Sequence, residues 1–209
     1  MSDLKLYDLP PSPNNMKIRI ALNYKGLPFE RFAVDPADQE RRQIRELSGQ
    51  PLTPVLVHGD RVICDSAAIL RYLDTNFRDT PPLLFPDRPT ALAADKLEKW
   101  ARGPLTEPTG MVFAQAFSEA PDLEACRRAS ELMNTVTADI EERLADSEWL
   151  VGGRMSFVDV TAAPYVAYAM LPEEAAQHPI VRFFYDNLHL GEGRQRTREW
   201  CSRVMTYDR

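Results

Sequence analysis

The 209-residue chain carries 44% hydrophobic and 27% charged residues, the balance of a water-soluble globular protein with one large domain or two small ones. A formal net charge of −6 argues against a nucleic-acid partner. No apolar run approaches the roughly 20 residues of a membrane helix, so no membrane partner is expected. The opening MSDLKLYDLPPSP lacks the charged and apolar regions of a signal peptide, which points to a cytoplasmic location. Cys64, Cys126 and Cys201 are far apart and odd in number, so they form no disulfide framework; they read as small buried hydrophobes in a reducing compartment. His58, His178 and His189 stand apart from one another and from other ligand types, so no metal site is expected.

Leu4 and Leu6 alternate with polar residues and predict a short first strand. After Pro10 and Pro11, Ser12-Pro13 marks a helix start, the serine hydroxyl as cap and proline at the first helical position. Ile18, Ala21 and Leu22 follow on one helical face, and Lys25-Gly26 signals the stop. Phe29 to Val34 predicts a second strand, parallel to the first if the helix is a crossover. Asp38 to Leu47 reads as a charged helix. A loop dense in turn residues then runs from Ser48 to Pro54, ahead of Val55-Leu56-Val57. His58-Gly59-Asp60 is a tight turn into Arg61-Val62-Ile63-Cys64, which makes a β-hairpin. Asp65-Ser66 opens a helix with Ile69, Leu70 and Leu73 as its apolar stripe. The first part of the chain thus reads βαβαββα.

The proline-rich stretch 78–89 reads as a linker, and everything beyond it reads helical. Helical segments are expected at 91–102, 111–118, 122–145, from Ser156 to about Met170, 179–188 and 194–205. Gly103-Pro104 and Pro108 to Gly110 are read as breaks. Ser156 and Asp159 form a capping box flanked by Met155 and Val160 as a hydrophobic staple. Pro164 is expected to kink the helix that follows. Arg194, Arg196 and Arg198 read as a solvated basic face. The expected fold class is a small α/β domain at 1–77, a linker at 78–89 and an all-α domain at 90–209.

At a helix start, free backbone donors and the positive dipole end attract an anion, and a thiolate is one such anion. Several further segments, in order, resemble the glutathione S-transferase superfamily. They are Ser12-Pro13 with Lys17 to Leu22, Pro28-Phe29-Glu30, Thr53-Pro54-Val55-Leu56, Asp65-Ser66-Ala67-Ala68-Ile69-Leu70, and Trp149 to Gly153 through Ser156 and Asp159. The resemblance spans nearly the whole chain and implies a thioredoxin-like N-terminal domain with a C-terminal helical bundle.

The resemblance implies a homodimeric enzyme that takes glutathione as co-substrate and directs its thiolate at a small hydrophobic electrophile or a peroxide, in detoxification. Ser12 or Asn14 is the expected catalytic donor to the sulfur. A hydroxyl or amide hydrogen bond stabilises the thiolate of a group whose ordinary pKa is about 8.5. The plainer reading of Ser12 is a cap alone, and Tyr7, inside the strand, reads more readily as packing. Thr53 and a cis Pro54 are expected to pair with the glutathione backbone. Asp65 and Ser66 are expected to hold the γ-glutamyl ammonium and carboxylate. Met111, Phe113 and Phe117 are candidates for an acceptor pocket, with plain core as the other reading. The chain departs from the family pattern at Asp65, where Glu or Gln is usual, and at Leu52, where Lys or Gln commonly meets the glycine carboxylate. Those departures leave room for a non-catalytic adaptor of the same fold. The Pro-Asn pattern also permits a glutathione-dependent disulfide reductase, limited to glutathione's own sulfur because no cysteine stands at position 12.

Overall fold

Buried Leu4, Leu6 and Asp8 alternate with Lys5 and Tyr7 along the first strand, β1 (Leu4–Asp8), at the centre of a four-stranded sheet. The structure is a computed structural model that describes residues 3–35, 38 and 40–209. Helix α1 (Pro13–Tyr24) crosses from β1 to β2 (Glu30–Ala33), which pairs parallel to it. Helix α2 (Arg42–Ser48) precedes β3 (Val55–His58), antiparallel to β1, and the hairpin partner β4 (Arg61–Cys64) lies at the edge. Helix α3 (Ser66–Asn76) completes the βαβαββα order, with the sheet running β2-β1-β3-β4. Helix α2 starts later than its charge pattern suggested, and position 39 of that stretch lies outside the described residues.

Beyond β4 the described residues hold helices and no strand: α4 (Arg88–Ala101), α5 (Glu107–Ala116), α6 (Leu123–Arg143), α7 (Phe157–Ala167), a 3-10 turn at Glu173–Ala175, α8 (Pro179–Asn187) and α9 (Gln195–Met205). The chain divides into two compact units, one running to Leu84 and including Thr206–Arg209, the other Phe85–Met205. The proline-rich stretch is therefore not a free connector from 78 to 89. The Asp74 carboxylate accepts from the backbone N–H of Leu83 and Leu84 and pairs with buried Lys25 at 2.7 Å, which ties residues up to Leu84 to the first unit. At the other end of the stretch Asp87 caps α4, so the helix starts at Arg88, with Pro89 in its first turn. Pro108 likewise begins α5 rather than breaking it, because a proline N–H would be unsatisfied there anyway.

Two buried polar centres hold these units. In the first, α1 is buried on almost every side, with Asn15, Lys17 and Arg19 enclosed beside Ile18, Ile20, Ala21 and Leu22. The Arg19 guanidinium donates to buried Asp8, to the Pro10 carbonyl at 3.0 Å and to Asp208 at 2.6 Å, while Arg31 holds the other Asp8 oxygen at 2.9 Å. Burial alone would lower the Arg19 pKa, but Asp208 and Asp8 outweigh it and raise it, so the side chain stays charged.

In the second unit the capping box at the start of α7 is present, Ser156 and Asp159 each bonding the other's backbone end, with Met155 and Val160 buried beside it. Asp159 is buried and also accepts from the Leu150 N–H at 2.9 Å and the Trp200 indole at 2.8 Å. Burial pushes its carboxyl up, against four donors that favour the charged form. The Trp149–Gly153 turn is held by backbone fit. Gly152 has φ +68°, and a Cβ there would fall 2.6 Å from the Phe85 ring. Of the arginines near α9, Arg196 is solvent-exposed as expected and meets Glu141 at 3.4 Å, whereas the half-buried Arg194 and Arg198 donate to the Asn134 and Leu190 carbonyls.

Replacing Asp159 with alanine strands buried N–H groups of Leu150, Ser156 and Trp200, and is expected to cost about 3 kcal/mol or more in urea denaturation. In the first unit, Arg19→Met leaves Asp8 buried with Arg31 as its one cation and should cost about 3 kcal/mol. Asp208→Asn keeps the Arg19–Asp8 pair and should cost about 1 kcal/mol in the same assay.

Candidate functional site

Register places three segments at one end of the sheet. Tyr7, Val55 and Cys64 are aligned across β1, β3 and β4, so the loop after β1, the Thr53-Pro54 entry to β3 and the Asp65-Ser66 exit from β4 share that end. The loop after β1 is closed on itself. Ser12 N–H donates to the Leu9 carbonyl at 3.0 Å, and the Asn15 carbonyl oxygen accepts from Leu9 N–H at 3.0 Å. The Arg19 bond to Pro10 fastens it from below. The Asn15 amide nitrogen is buried and has no hydrogen-bond partner among the described residues, so that side chain serves the loop through its oxygen.

Ser12 occupies the N-cap of α1 with extended backbone, φ −79° and ψ 126°, but its hydroxyl makes no cap bond. That corrects the capping expectation, and the first turn supplies the reason. Pro13 has no N–H, and the N–H groups of Asn15 and Met16 both reach the Ser12 carbonyl at 2.9 Å. The turn is tightened on the backbone oxygen, so the hydroxyl is not needed. Among the described residues, the half-exposed Ser12 hydroxyl and the Asn14 N–H make no hydrogen bond. They are donors at the positive end of a twelve-residue helix.

Asn14 is exposed, and its side-chain oxygen accepts from the Ser66 hydroxyl at 3.3 Å across 52 positions of sequence. Ser66 in turn accepts from Lys17 Nζ at 3.2 Å, inside the protein. The N-termini of α1 and α3 are thereby drawn together, and α1 and α3 pack on each other. Sequence reading missed Lys17. The available signal was its position three residues after Asn14, on the same helical face.

Asp65 adopts φ 69° and ψ 122°, a conformation that costs a non-glycine residue about 1–3 kcal/mol. Its Oδ1 accepts from the N–H of Ala67 at 2.9 Å and Ala68 at 3.0 Å, which offsets that cost and caps α3. One carboxylate oxygen is therefore spent on the helix. The N–H of Ser66, the first residue of α3, is not hydrogen-bonded among the described residues.

The Thr53-Pro54 peptide bond is cis. Neither backbone group of Thr53 is hydrogen-bonded among the described residues, so an N–H and a C=O are open at this end of the sheet. Leu52 is 71% exposed and its backbone is held by the Gln50 amide, through bonds of 2.6 and 2.9 Å. Gln50 is a loop-shaping residue that the sequence reading did not single out.

Tyr7 stacks on Phe32 of the neighbouring strand with ring centroids 4.7 Å apart, which is a packing role. Met111, Phe113 and Phe117 lie on or just after α5, in the second unit. Phe113 and Phe117 are 53% and 61% exposed with rings 4.9 Å apart, so they are an exposed aromatic pair and not core. The cysteines are free thiols. Burial pushes Cys201 up to about 12 and also raises Cys126, so neither is a thiolate at neutral pH. Among the described residues, no group of three His, Cys, Asp or Glu side chains is arranged for a metal ion. None of the described helices is long and apolar enough to cross a membrane.

Comparison with known proteins agrees with this arrangement. The family profile for the glutathione S-transferase N-terminal domain matches residues 6–81, and the profile for the C-terminal domain matches residues 95–205. Glutathione S-transferase 3 of Zea mays is 31% identical over 189 residues, which are 86% of this chain and 81% of that protein. FtsZ-localized protein A of Caulobacter vibrioides is 30% identical over 173 residues, 78% of this chain and 75% of that protein. Among solved structures, rice GST1 in complex with glutathione superposes with a TM-score of 0.71 at 27% identity, covering 97% of this chain and 87% of that one. The sheet with its helices is thioredoxin-like and is followed by the helical domain of the same family. With both domain profiles matched in order, and Ser12, the cis Thr53-Pro54 bond and Asp65-Ser66 at one end of the sheet, the chain belongs to the glutathione S-transferase superfamily.

Proposed function

We propose that this protein is a glutathione transferase that binds glutathione at the α1 and α3 N-termini and turns its thiol on a small hydrophobic electrophile. The observation that carries this reading is the uncommitted Ser12 hydroxyl at the α1 N-cap, beside the open Asn14 N–H. A serine that served only as a cap would spend its oxygen on the helix. The complex of a rice relative with glutathione supports the same ligand class.

In this reading the glutathione backbone pairs, as an extended peptide, with the open N–H and C=O of Thr53 in the loop ahead of β3, next to Pro54. The γ-glutamyl carboxylate meets the Ser66 N–H at the positive end of α3, and Asp65 offers negative charge to the ammonium. The sulfur then lies at the α1 N-terminus, where Ser12 or Asn14 donates to it and the dipole favours the thiolate. Serine stays protonated throughout. The thiol proton leaves to solvent, the sulfur lone pair forms a C–S bond with the electrophilic carbon, and the displaced group carries away the bonding pair. Catalysis comes from thiolate population and proximity. The exposed Leu52 brings no cation to the glycine end, so binding there is weaker than in members with Lys or Gln. The aromatic pair Phe113 and Phe117, with Met111, offers apolar surface of the kind a hydrophobic acceptor needs. The protein acts as a cytoplasmic homodimer in detoxification, and peroxide or glutathione-disulfide reduction would use the same thiolate.

A second reading, a protein-interaction adaptor of the same fold, is favoured by one observation: the relative named FtsZ-localized protein A. The two readings separate on glutathione binding and turnover. Calorimetric binding with conjugation of a chloronitrobenzene-type electrophile supports the enzyme, and absence of both leaves the adaptor. Within the enzyme reading, a hydrogen bond to a charged group is worth about 1.5–3 kcal/mol, so losing the sulfur's donor should raise the bound thiol pKa by about 1–2 units. Ser12→Ala and Asn14→Ala are compared by thiolate ultraviolet absorbance against pH. The variant that shifts the curve, and lowers kcat/KM at neutral pH by about tenfold or more, identifies the donor. No shift in either would overturn the assignment of both.

A further inference from the structure

We infer that Lys17 is a positioning residue: acting through Ser66, its buried ammonium orients the Asn14 amide so that its N–H face is presented to an anionic ligand at the α1 N-terminus. The inference rests on the glutathione reading above. Its geometry is a relay of two hydrogen bonds, Lys17 Nζ to Ser66 Oγ at 3.2 Å and Ser66 Oγ to Asn14 Oδ1 at 3.3 Å.

The polarity of this relay is dictated by its first member. An ammonium has donors and no acceptor, so the Ser66 oxygen must accept from it and its own proton must point elsewhere. The Asn14 carbonyl oxygen receives that proton. The amide is thereby locked with its oxygen turned toward Ser66 and its NH2 turned away from it. Without Lys17 the serine hydroxyl can rotate to accept from Asn14, the amide can flip, and an oxygen would then face the ligand. Facing a thiolate, that oxygen is repulsive where the NH2 is attractive. Hydrogen bonding at the amide oxygen also polarises the N–H bonds and makes them better donors.

Charge placement points the same way. Lys17 is fully buried, and it sits against Ser66, the first residue of α3, where the helix dipole is positive. A cation there has the wrong sign for the dipole. Asp65, the α3 cap, is the acidic group on that helix end, and one of its oxygens is engaged by Ala67 and Ala68. An anionic ligand at the shared end of α1 and α3 adds a further favourable charge near the buried ammonium.

The test uses the full chain and glutathione itself, with Lys17→Met, Lys17→Arg, Ser66→Ala and Asn14→Ala compared with the wild type. Side-chain amide NMR of the ligand-free protein reads Asn14 without any ligand: Lys17→Met and Ser66→Ala should shift its NH2 resonances, and Lys17→Arg should leave them near wild type. With glutathione, Lys17→Met should raise the bound thiol pKa by about one unit, roughly a tenfold loss of thiolate at neutral pH. The loss should appear mainly in kcat, Lys17→Arg should restore most of it, and Lys17→Met should add nothing in an Asn14→Ala background. If Lys17→Met lowers the melting temperature but leaves the Asn14 resonances and the thiol pKa unchanged, Lys17 is structural only and the inference is overturned. If the wild type does not bind glutathione, the functional reading fails first, while shifted Asn14 resonances would still support the relay in the free protein.

Discussion

A helix buried on nearly every side has to place its polar residues, and α1 contains Asn15, Lys17 and Arg19 among its enclosed positions. Leaving a buried cation without a partner is far costlier than exposing it, so each one recruits an acceptor from another part of the chain. Arg19 recruits Asp8 at the end of β1, the Pro10 carbonyl in the loop and Asp208 near the last residue. Lys25, just past the helix, recruits Asp74 and the Pro81 carbonyl. Lys17 recruits Ser66 at the start of α3. The loop that carries Ser12, the proline-rich stretch after α3 and the segment 206–209 all take their places from this one requirement.

The second unit solves a similar problem with the opposite charge. Asp159 is buried where four donors converge, two from the backbone at Leu150 and Ser156 and two from the Ser156 hydroxyl and the Trp200 indole. One carboxylate thus joins the Trp149–Gly153 turn, the start of α7 and the middle of α9. Both units place a buried charge where several segments meet, which makes each junction specific because apolar packing alone would tolerate slippage.

For function, the same economy explains why the candidate site is preorganised. The Ser12 hydroxyl is released because the α1 first turn closes on the Ser12 carbonyl. The Ser66 N–H is open because it is the first of α3, while the Asp65 cap bonds go to Ala67 and Ala68. Among the described residues Thr53 keeps both backbone groups open at the end of the sheet beside a cis proline. Donors are held in place before any ligand arrives, so binding does not have to order them. The same framework serves an adaptor as readily as an enzyme; an enzyme of the proposed kind additionally needs a thiolate donor at the α1 N-terminus.

The element order, the hairpin turn at Gly59, the helix stop at Gly26 and the capping box at Ser156 were all legible in the sequence, because each is decided by residues within a few positions of one another. The segments that mark the family were legible too, and Ser12, Thr53, Pro54, Asp65 and Ser66 could be named from them. What only the tertiary structure decided is which polar groups are buried and what they bond. Lys17 and Arg19 look like solvent-facing charges on a weakly patterned helix, and nothing local reveals that Arg19 meets Asp208 across 189 positions. The Ser12 hydroxyl, a cap by every local rule, proved free of the helix because the carbonyl of Ser12 itself takes the first-turn N–H groups. Burial and long-range pairing are properties of the folded surroundings, and a charged side chain reads the same in sequence whether water or a distant carboxylate will solvate it.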